Sequence, residues 1–80
     1  MVDDIRRWLV ERVADYLDRD AAEVDADAKF ADLGLDSVYS MILCGDVEER
    51  YGLEVEPTIT WDHPTVALLA GHLSGELAAR

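Results

Sequence analysis

The stretch Leu33-Gly34-Leu35-Asp36-Ser37-Val38 marks the point where a long polar segment gives way to an apolar run with helical spacing. Asp36 or Ser37 is a suitable N-cap, because its side-chain oxygen can accept a hydrogen bond from an unpaired N–H of the first helical turn. A hydroxyl in that turn also lies near further unpaired N–H groups and the positive end of the helix dipole, which together favour a phosphate group. The stretch therefore predicts a helix start and an attachment point at Ser37.

The helix that begins there is predicted to run to about Tyr51, where Gly52 ends it. It carries apolar residues on two faces. One stripe has four-residue spacing and can face a core: Tyr39, Leu43, Val47 and Tyr51. The other patch lies beside the serine: Val38, Met41 and Ile42. Either a broad core covers both faces, or the second patch stays partly exposed and contacts another protein.

Two further amphipathic helices are predicted outside this central one. The first covers about Val2 to Leu17, and the last follows an N-cap at Thr65 and ends at about Ala78. Their apolar residues recur at steps of three and four: Ile5, Trp8, Leu9, Val13, Tyr16 and Leu17 in the first helix, and Val66, Leu69, Ala70, Leu73 and Leu77 in the last. Facing stripes of this kind predict that helices pack on helices.

The intervening segments are shorter or more polar. The segment from Asp18 to Asp36 is predicted to be a long loop that is anchored by a few apolar residues and also positions Ser37: Phe30, Leu33 and Leu35. Leu53 to Glu56 alternates like a strand but has no partner strand, so we expect an extended loop. Thr58 to Asp62 predicts a short helical turn that holds Ile59 and Trp61 against the bundle. The predicted fold is all-α: a small four-helix bundle of three main helices plus one short helix.

The 80 residues predict one domain, residues 1–80, without a second core. The apolar runs are too short to span a bilayer, and the start is acidic where a signal peptide is basic, so we expect a cytoplasmic protein. The net charge of −11 opposes binding to nucleic acid or anionic membranes and favours basic partner surfaces. The charge by itself is also compatible with a role in solubility alone.

Three other chemistries fit the residues poorly. An EF-hand starting at Asp25 would place Lys29 and Phe30 where a calcium loop needs an oxygen ligand and a glycine. Ser37 lacks the Gly-x-Ser-x-Gly surroundings of a hydrolase nucleophile. The single cysteine, Cys44, is distant in sequence from both histidines and is predicted to be a buried, inert thiol. No catalytic or metal-binding residue is predicted.

The serine stretch, together with Trp61-Asp62-His63-Pro64-Thr65, resembles acyl carrier proteins of the polyketide synthase type over nearly the whole chain. The resemblance implies a 4′-phosphopantetheine arm, attached to Ser37 by a phosphopantetheinyl transferase from coenzyme A, whose thiol holds acyl groups as thioesters. It also implies that Asp36 helps to present this segment to the transferase and its metal. The implied protein is a monomeric, non-catalytic carrier that serves ketosynthase, acyltransferase or acyl-activating enzymes of polyketide biosynthesis.

The chain departs from the family pattern next to the serine. Many members have a leucine and a glutamate where this chain has Val38 and Ile42. We therefore expect partner enzymes to make apolar contacts with Val38, Met41 and Ile42. Charge is then expected further along the helix, from Asp46, Glu48 and Glu49. The competing hypothesis is an acidic helical adaptor that carries no cofactor and tolerates loss of Ser37.

Overall fold

Three long helices and two short ones make up the fold in a computed structural model that describes residues 2–79. They are α1 (Val2–Leu17), α2 (Phe30–Leu33), α3 (Ser37–Tyr51), α4 (Ile59–Asp62) and α5 (Val66–Ala78), with a 3₁₀ turn at Ala21–Glu23. No β-strand occurs within residues 2–79. The predicted all-α class and the bounds of the three main helices are confirmed. Met1 and Arg80 of the predicted domain lie outside the described residues.

The core lies where α1, α3 and α5 turn their apolar stripes toward one another. Each long helix supplies side chains that are almost fully buried: Ile5, Leu9 and Val13; Leu43 and Val47; Val66, Leu69 and Leu73. Each such side chain contributes about 1.5–3 kcal/mol through removal of apolar surface from water. Trp8, Tyr16, Tyr39, Tyr51 and Leu77 are partly buried at the edge of this core. The predicted stripes are therefore the core-facing sides of the helices.

The segment between α1 and α3 contains more helix than predicted. It was expected to be a loop, but it forms the 3₁₀ turn and the four-residue helix α2. Both are closed by local backbone bonds, such as Val24 N–H to Ala21 C=O at 3.1 Å and Leu33 N–H to Lys29 C=O at 3.1 Å. Elements of one turn are too short to produce a hydrophobic period, so the sequence pattern did not indicate them.

Two backbone hydrogen bonds attach this segment to the start of α5. Phe30 N–H donates to Pro64 C=O at 2.8 Å, and Ala67 N–H donates to Ala26 C=O at 3.0 Å. The Phe30 side chain is buried, as are those of Val24 and Leu35. Of the predicted anchors, Phe30 and Leu35 are thus confirmed in the core, and Leu33 is half-buried. The middle of the segment that precedes Ser37, from Ala26 to Phe30, is thus attached to the start of α5.

The expectation for α4 was half wrong. Ile59 is buried as predicted, but Trp61 is 83% exposed and does not pack against the bundle. Residues two positions apart lie on opposite sides of a helix, so a single turn cannot bury both. Thr60, adjacent to Ile59, is buried instead. The predicted extended loop at Leu53 to Glu56 is confirmed, with Leu53 in the core.

Candidate functional site

Ser37 is the first residue of α3, and its side chain is exposed. The residue before it, Asp36, is the N-cap: its Oδ1 accepts a hydrogen bond from Tyr39 N–H at 3.1 Å. Gly34 ends α2 with a backbone φ of 95°, a left-handed conformation that residues with a Cβ rarely adopt. This glycine allows the chain to turn from α2 into α3 within the three residues 34–36, which presents the Ser37 hydroxyl at the protein surface.

Two buried hydroxyl groups connect the first turn of α3 to α4. Ser40 Oγ lies 3.0 Å from Thr60 Oγ1 and 3.1 Å from the carbonyl oxygen of Asp36. Thr60 Oγ1 also lies 3.3 Å from the carbonyl oxygen of Pro57. The two hydroxyl protons can serve two of these three contacts at a time. The pair therefore holds the residues around Ser37 against α4 without leaving either buried oxygen unpartnered.

The apolar patch beside the serine is not covered by the core. Val38, Met41 and Ile42 are exposed to 60%, 63% and 44%. Their spacing of three and four residues puts them on one face of α3. Gly45 continues that face, and nothing lies within 4 Å of the position that a Cβ would take there. Of the two explanations left open by the sequence, the structure supports an exposed patch.

The three predicted acidic residues of α3 have different surroundings. Glu48 and Glu49 are exposed and continue the face that carries Met41 and Ile42. Asp46 is half-buried, and its carboxylate accepts a hydrogen bond from the Tyr16 hydroxyl of α1. The pKa of Tyr16 is raised well above its ordinary value. Partial burial is the larger cause, and the hydrogen bond to Asp46 is the second. The structure thus places Asp46 in the packing between α1 and α3.

A groove of about 380 Å³ opens directly beside Ser37. It runs between α2, the start of α3 and α4, and its lining includes Phe30, Leu35, Trp61 and Pro64. Lys29 also lines it and is the only lysine of the chain. Sequence analysis assigned no site role to Lys29 or Trp61. Neither belongs to a periodic pattern or motif that points to a groove, so only the packing of α2 against α4 identifies them.

The remaining reactive side chains lie outside this site. Cys44 is buried, and burial raises the pKa of its thiol, which opposes formation of the reactive thiolate. His63 and His72 stack on each other with ring centroids 4.2 Å apart. In the part of the chain that the structure describes, no three histidine, cysteine or acidic residues are arranged to hold a metal ion. No helix formed by residues 2–79 is long and apolar enough to cross a membrane.

Comparison with known proteins places the chain in a family. Residues 7–73 match the family described as "Phosphopantetheine attachment site". A 6-methylsalicylic acid synthase of Aspergillus terreus is 42% identical over an alignment of 71 residues that covers 82% of this chain and 4% of the synthase. A phenolphthiocerol/phthiocerol polyketide synthase of Mycobacterium tuberculosis is 37% identical over 89% of this chain. The chain spans 4% of the length of that relative as well.

Solved structures agree with this result. A free-standing peptidyl carrier protein of Acinetobacter baumannii superposes with a TM-score of 0.93 at 36% identity, covering 95% of each chain. The chain therefore belongs to the phosphopantetheine-attachment family of carrier proteins. The predicted carrier function and covalent 4′-phosphopantetheine cofactor are confirmed by this family membership.

Proposed function

We propose that the protein carries acyl intermediates of polyketide biosynthesis on a 4′-phosphopantetheine arm attached to Ser37, and that residues 1–80 act as one carrier domain. The position of Ser37 supports this most directly. Its exposed hydroxyl stands at the first residue of α3, directly after the N-cap Asp36. When attached, the arm supplies a thiol that holds acyl groups as thioesters. The Ser37 oxygen has both the access and the favourable helix-terminal electrostatics that a phosphodiester needs.

Loading requires a phosphopantetheinyl transferase and coenzyme A. The Ser37 oxygen attacks the pyrophosphate phosphorus nearer to the pantetheine group. A serine–phosphorus bond forms, the pyrophosphate P–O bond breaks and adenosine 3′,5′-bisphosphate leaves, while the serine proton passes to a base of the transferase. Asp36 is exposed at the same helix end. We propose that Asp36 presents this segment to the transferase and its metal, while the hydrogen bond that it accepts from Tyr39 N–H stabilises the first turn of α3.

Partner enzymes are proposed to bind the exposed face of α3. Val38, Met41 and Ile42 form an apolar patch beside the attachment point, and Glu48 and Glu49 add negative charge further along. A ketosynthase, acyltransferase or acyl-activating enzyme with an apolar contact and a basic rim complements this face. Asp46 lies only at the edge of the proposed surface, because its carboxylate accepts a hydrogen bond from Tyr16.

The choice of pathway rests on the relatives. A curated relative at 37% identity is named a polyketide synthase. The similar solved structure from A. baumannii is a peptidyl carrier protein, so the fold itself is compatible with either type of carrier. We also propose that the protein is a monomer and that it acts in the cytoplasm, where coenzyme A is supplied. The net charge of −11 disfavours nucleic acid as a partner.

Intact mass tests the attachment. The protein is incubated with coenzyme A, magnesium and a broad-specificity phosphopantetheinyl transferase, and a known carrier is treated in parallel. We expect one added phosphopantetheinyl group, which Ser37→Ala abolishes. Ser74→Ala, a serine replacement on α5, is the matched control and retains the addition. Addition to Ser37→Ala, or no addition while the known carrier is labelled, contradicts the proposal.

A second mass experiment tests the pathway. The loaded protein is offered malonyl groups by a polyketide acyltransferase and amino acids by a peptide-synthetase adenylation enzyme. We expect malonyl transfer to be the faster reaction. Preferential loading with amino acids assigns the protein to peptide synthesis and overturns the polyketide assignment while leaving Ser37 as the attachment site.

A further inference from the structure

The exposed apolar patch of α3 includes a thioether, a group that peroxides oxidise. We propose that Met41 is a reversible modification site: hydrogen peroxide converts its side chain to the sulfoxide, and the modified protein binds partner enzymes more weakly. The inference rests on the proposed binding of partner enzymes to the exposed face of α3. It places a redox-sensitive residue one helical turn after the attachment point at Ser37.

Met41 is the accessible sulfur in the part of the chain that the structure describes. The sequence contains two methionines and one cysteine, and Met1 lies outside the described residues. Cys44 is buried, and burial raises the pKa of its thiol, so little of the reactive thiolate forms. The Met41 side chain, by contrast, is 63% exposed. An oxidant in solution therefore reaches the sulfur of Met41 before that of Cys44.

The oxidation needs no help from neighbouring residues. A lone pair of the thioether sulfur attacks one oxygen of hydrogen peroxide, so that an S–O bond forms and the peroxide O–O bond breaks. The sulfur loses two electrons, the peroxide gains them, and after proton transfer the products are methionine sulfoxide and water. Methionine sulfoxide reductases reverse the change, with one enzyme for each sulfoxide epimer. In that reaction a dithiol is oxidised to a disulfide and the sulfoxide oxygen leaves as water.

The position of Met41 makes the sulfoxide matter for binding. Val38 and Ile42 lie next to it on the exposed face of α3. Ser37 and Met41 are four residues apart on the same helix, where Cβ atoms are about 5–6 Å from each other. A protein that covers the patch beside Ser37 therefore covers Met41 as well. A sulfoxide oxygen accepts hydrogen bonds, and its burial against an apolar surface without a donor is unfavourable.

The fold itself is expected to tolerate the oxidation. Met41 belongs neither to the buried core nor to the partly buried residues that pack against it. The core-facing side of α3 is formed by other residues, such as Leu43 and Val47. In the free protein the sulfoxide oxygen thus stays in contact with water. The unfavourable burial arises only when a partner covers the patch, so oxidation should weaken binding without lowering stability.

Oxidation before loading tests the inference, because the thiol of the arm then never meets the oxidant. The unloaded protein is treated with hydrogen peroxide, the peroxide is removed with catalase, and the arm is attached afterwards. Peptide mapping should find one added oxygen at Met41, formed about as fast as in free methionine, and an unmodified Cys44. The free energy of unfolding in urea should be unchanged. Malonyl transfer by a polyketide acyltransferase should slow about fivefold or more, as expected for a polar group buried without a hydrogen bond.

Two variants and a repair step assign the effect to this side chain. Met41→Leu keeps an apolar side chain of similar size that peroxide does not oxidise, so its malonyl transfer should be unchanged by the same treatment. Met41→Gln places a polar group there permanently, and its transfer should be slow without peroxide. Treatment of the oxidised protein with both sulfoxide reductases and a dithiol, before loading, should restore the rate of the untreated protein.

The outcomes separate this inference from the proposed function. Unchanged malonyl transfer to the sulfoxide form, when Ile42→Glu slows the transfer, overturns the inference and leaves the exposed face of α3 as the binding surface. Unchanged transfer in both overturns the proposed apolar contact and the inference with it. An equal loss of rate in peroxide-treated Met41→Leu overturns the inference, because another residue is then responsible. A fall in the free energy of unfolding also overturns it, since the effect then acts through the fold.

Discussion

Ser40 Oγ and Thr60 Oγ1 lie 3.0 Å apart, both buried, and join the first turn of α3 to α4. The pair adjoins both sides of the candidate site, since Ser40 also contacts the carbonyl oxygen of Asp36 and Thr60 precedes Trp61. A hydroxyl pair of this kind contributes little net energy in itself. Loss of one partner is costly, because it leaves the other hydroxyl buried with fewer hydrogen bonds.

The Ser40–Thr60 contact can be measured with a double-mutant cycle. Ser40→Ala and Thr60→Val should each lower the free energy of unfolding by about 1–2 kcal/mol. The double variant should cost less than the sum of the single variants, because no unpaired hydroxyl remains. Urea unfolding of the four proteins gives the coupling energy. Strictly additive losses would show that the two hydroxyl groups do not stabilise each other.

The end of α1 offers a stabilising substitution. Asp18 has φ of 53°, and Arg19 N–H donates to Ala14 C=O at 2.9 Å, a helix-ending arrangement that favours glycine at residue 18. Asp18→Gly should raise the free energy of unfolding by about 0.5–1 kcal/mol, because it relieves left-handed strain.

The matched control is Asp20→Gly. It removes the same charge at a residue with φ of −72° and should lower stability, since glycine there only adds freedom to the unfolded chain. Thermal unfolding in one buffer compares the two variants. Equal effects of the two glycines would contradict the assigned cause.

Because of Tyr16, the free energy of unfolding is expected to decrease at alkaline pH. Its pKa is raised in the folded state, first by partial burial and then by its bond to Asp46, so the folded protein keeps the phenol proton at pH values where the unfolded chain releases it. The stabilisation is therefore complete below about pH 10, the ordinary tyrosine value, and is lost as pH rises above it.

Tyr16→Phe isolates this effect. Its free energy of unfolding should decline less steeply above pH 10 than that of the unmodified protein, whereas Tyr51→Phe should keep the steep decline. Urea unfolding between pH 8 and about pH 11.5 measures both slopes. Parallel curves for all three proteins would show that Tyr16 is not responsible.

Cys44 should not compete with the thiol of the arm. The thiol is buried and its pKa is raised by that burial, so little thiolate is available to react. In the loaded, folded protein, a maleimide should react rapidly with one thiol, that of the arm. Cys44 should react only slowly, and its reaction should become rapid when urea unfolds the protein. The unloaded protein is the control. Rapid labelling of the unloaded, folded protein would contradict the buried thiol.

Ile42 tests the apolar contact proposed for partner enzymes. Ile42→Glu introduces a glutamate at the position where many family members have one, into a patch that we expect to bind an apolar surface. Acyl transfer by the cognate enzyme should slow about fivefold or more, the effect of losing over 1 kcal/mol of binding. Val2→Glu is a matched control, because Val2 is also 44% exposed but lies on α1. An unimpaired Ile42→Glu protein would contradict the apolar contact.

The sequence by itself determined the long helices and the start of α3. Helical periodicity and end signals are local: Asp36 and Thr65 each accept a bond from an N–H three residues later, and Gly52 adopts the left-handed conformation that ends a helix. Such interactions depend on a few neighbouring residues, so they can be predicted without knowledge of the fold. The same applies to the motif around Ser37.

Only the tertiary structure decided which apolar and charged side chains are covered. Trp61 was expected in the core and is exposed, whereas Asp46, expected at a partner surface, is bonded to Tyr16 thirty residues earlier in the chain. Exposure and pairing depend on elements that are distant in sequence, and a one-turn helix such as α4 has no period from which its buried face can be predicted. The groove that joins Lys29, Ser37 and Trp61 exists for the same reason, because three separate segments meet there.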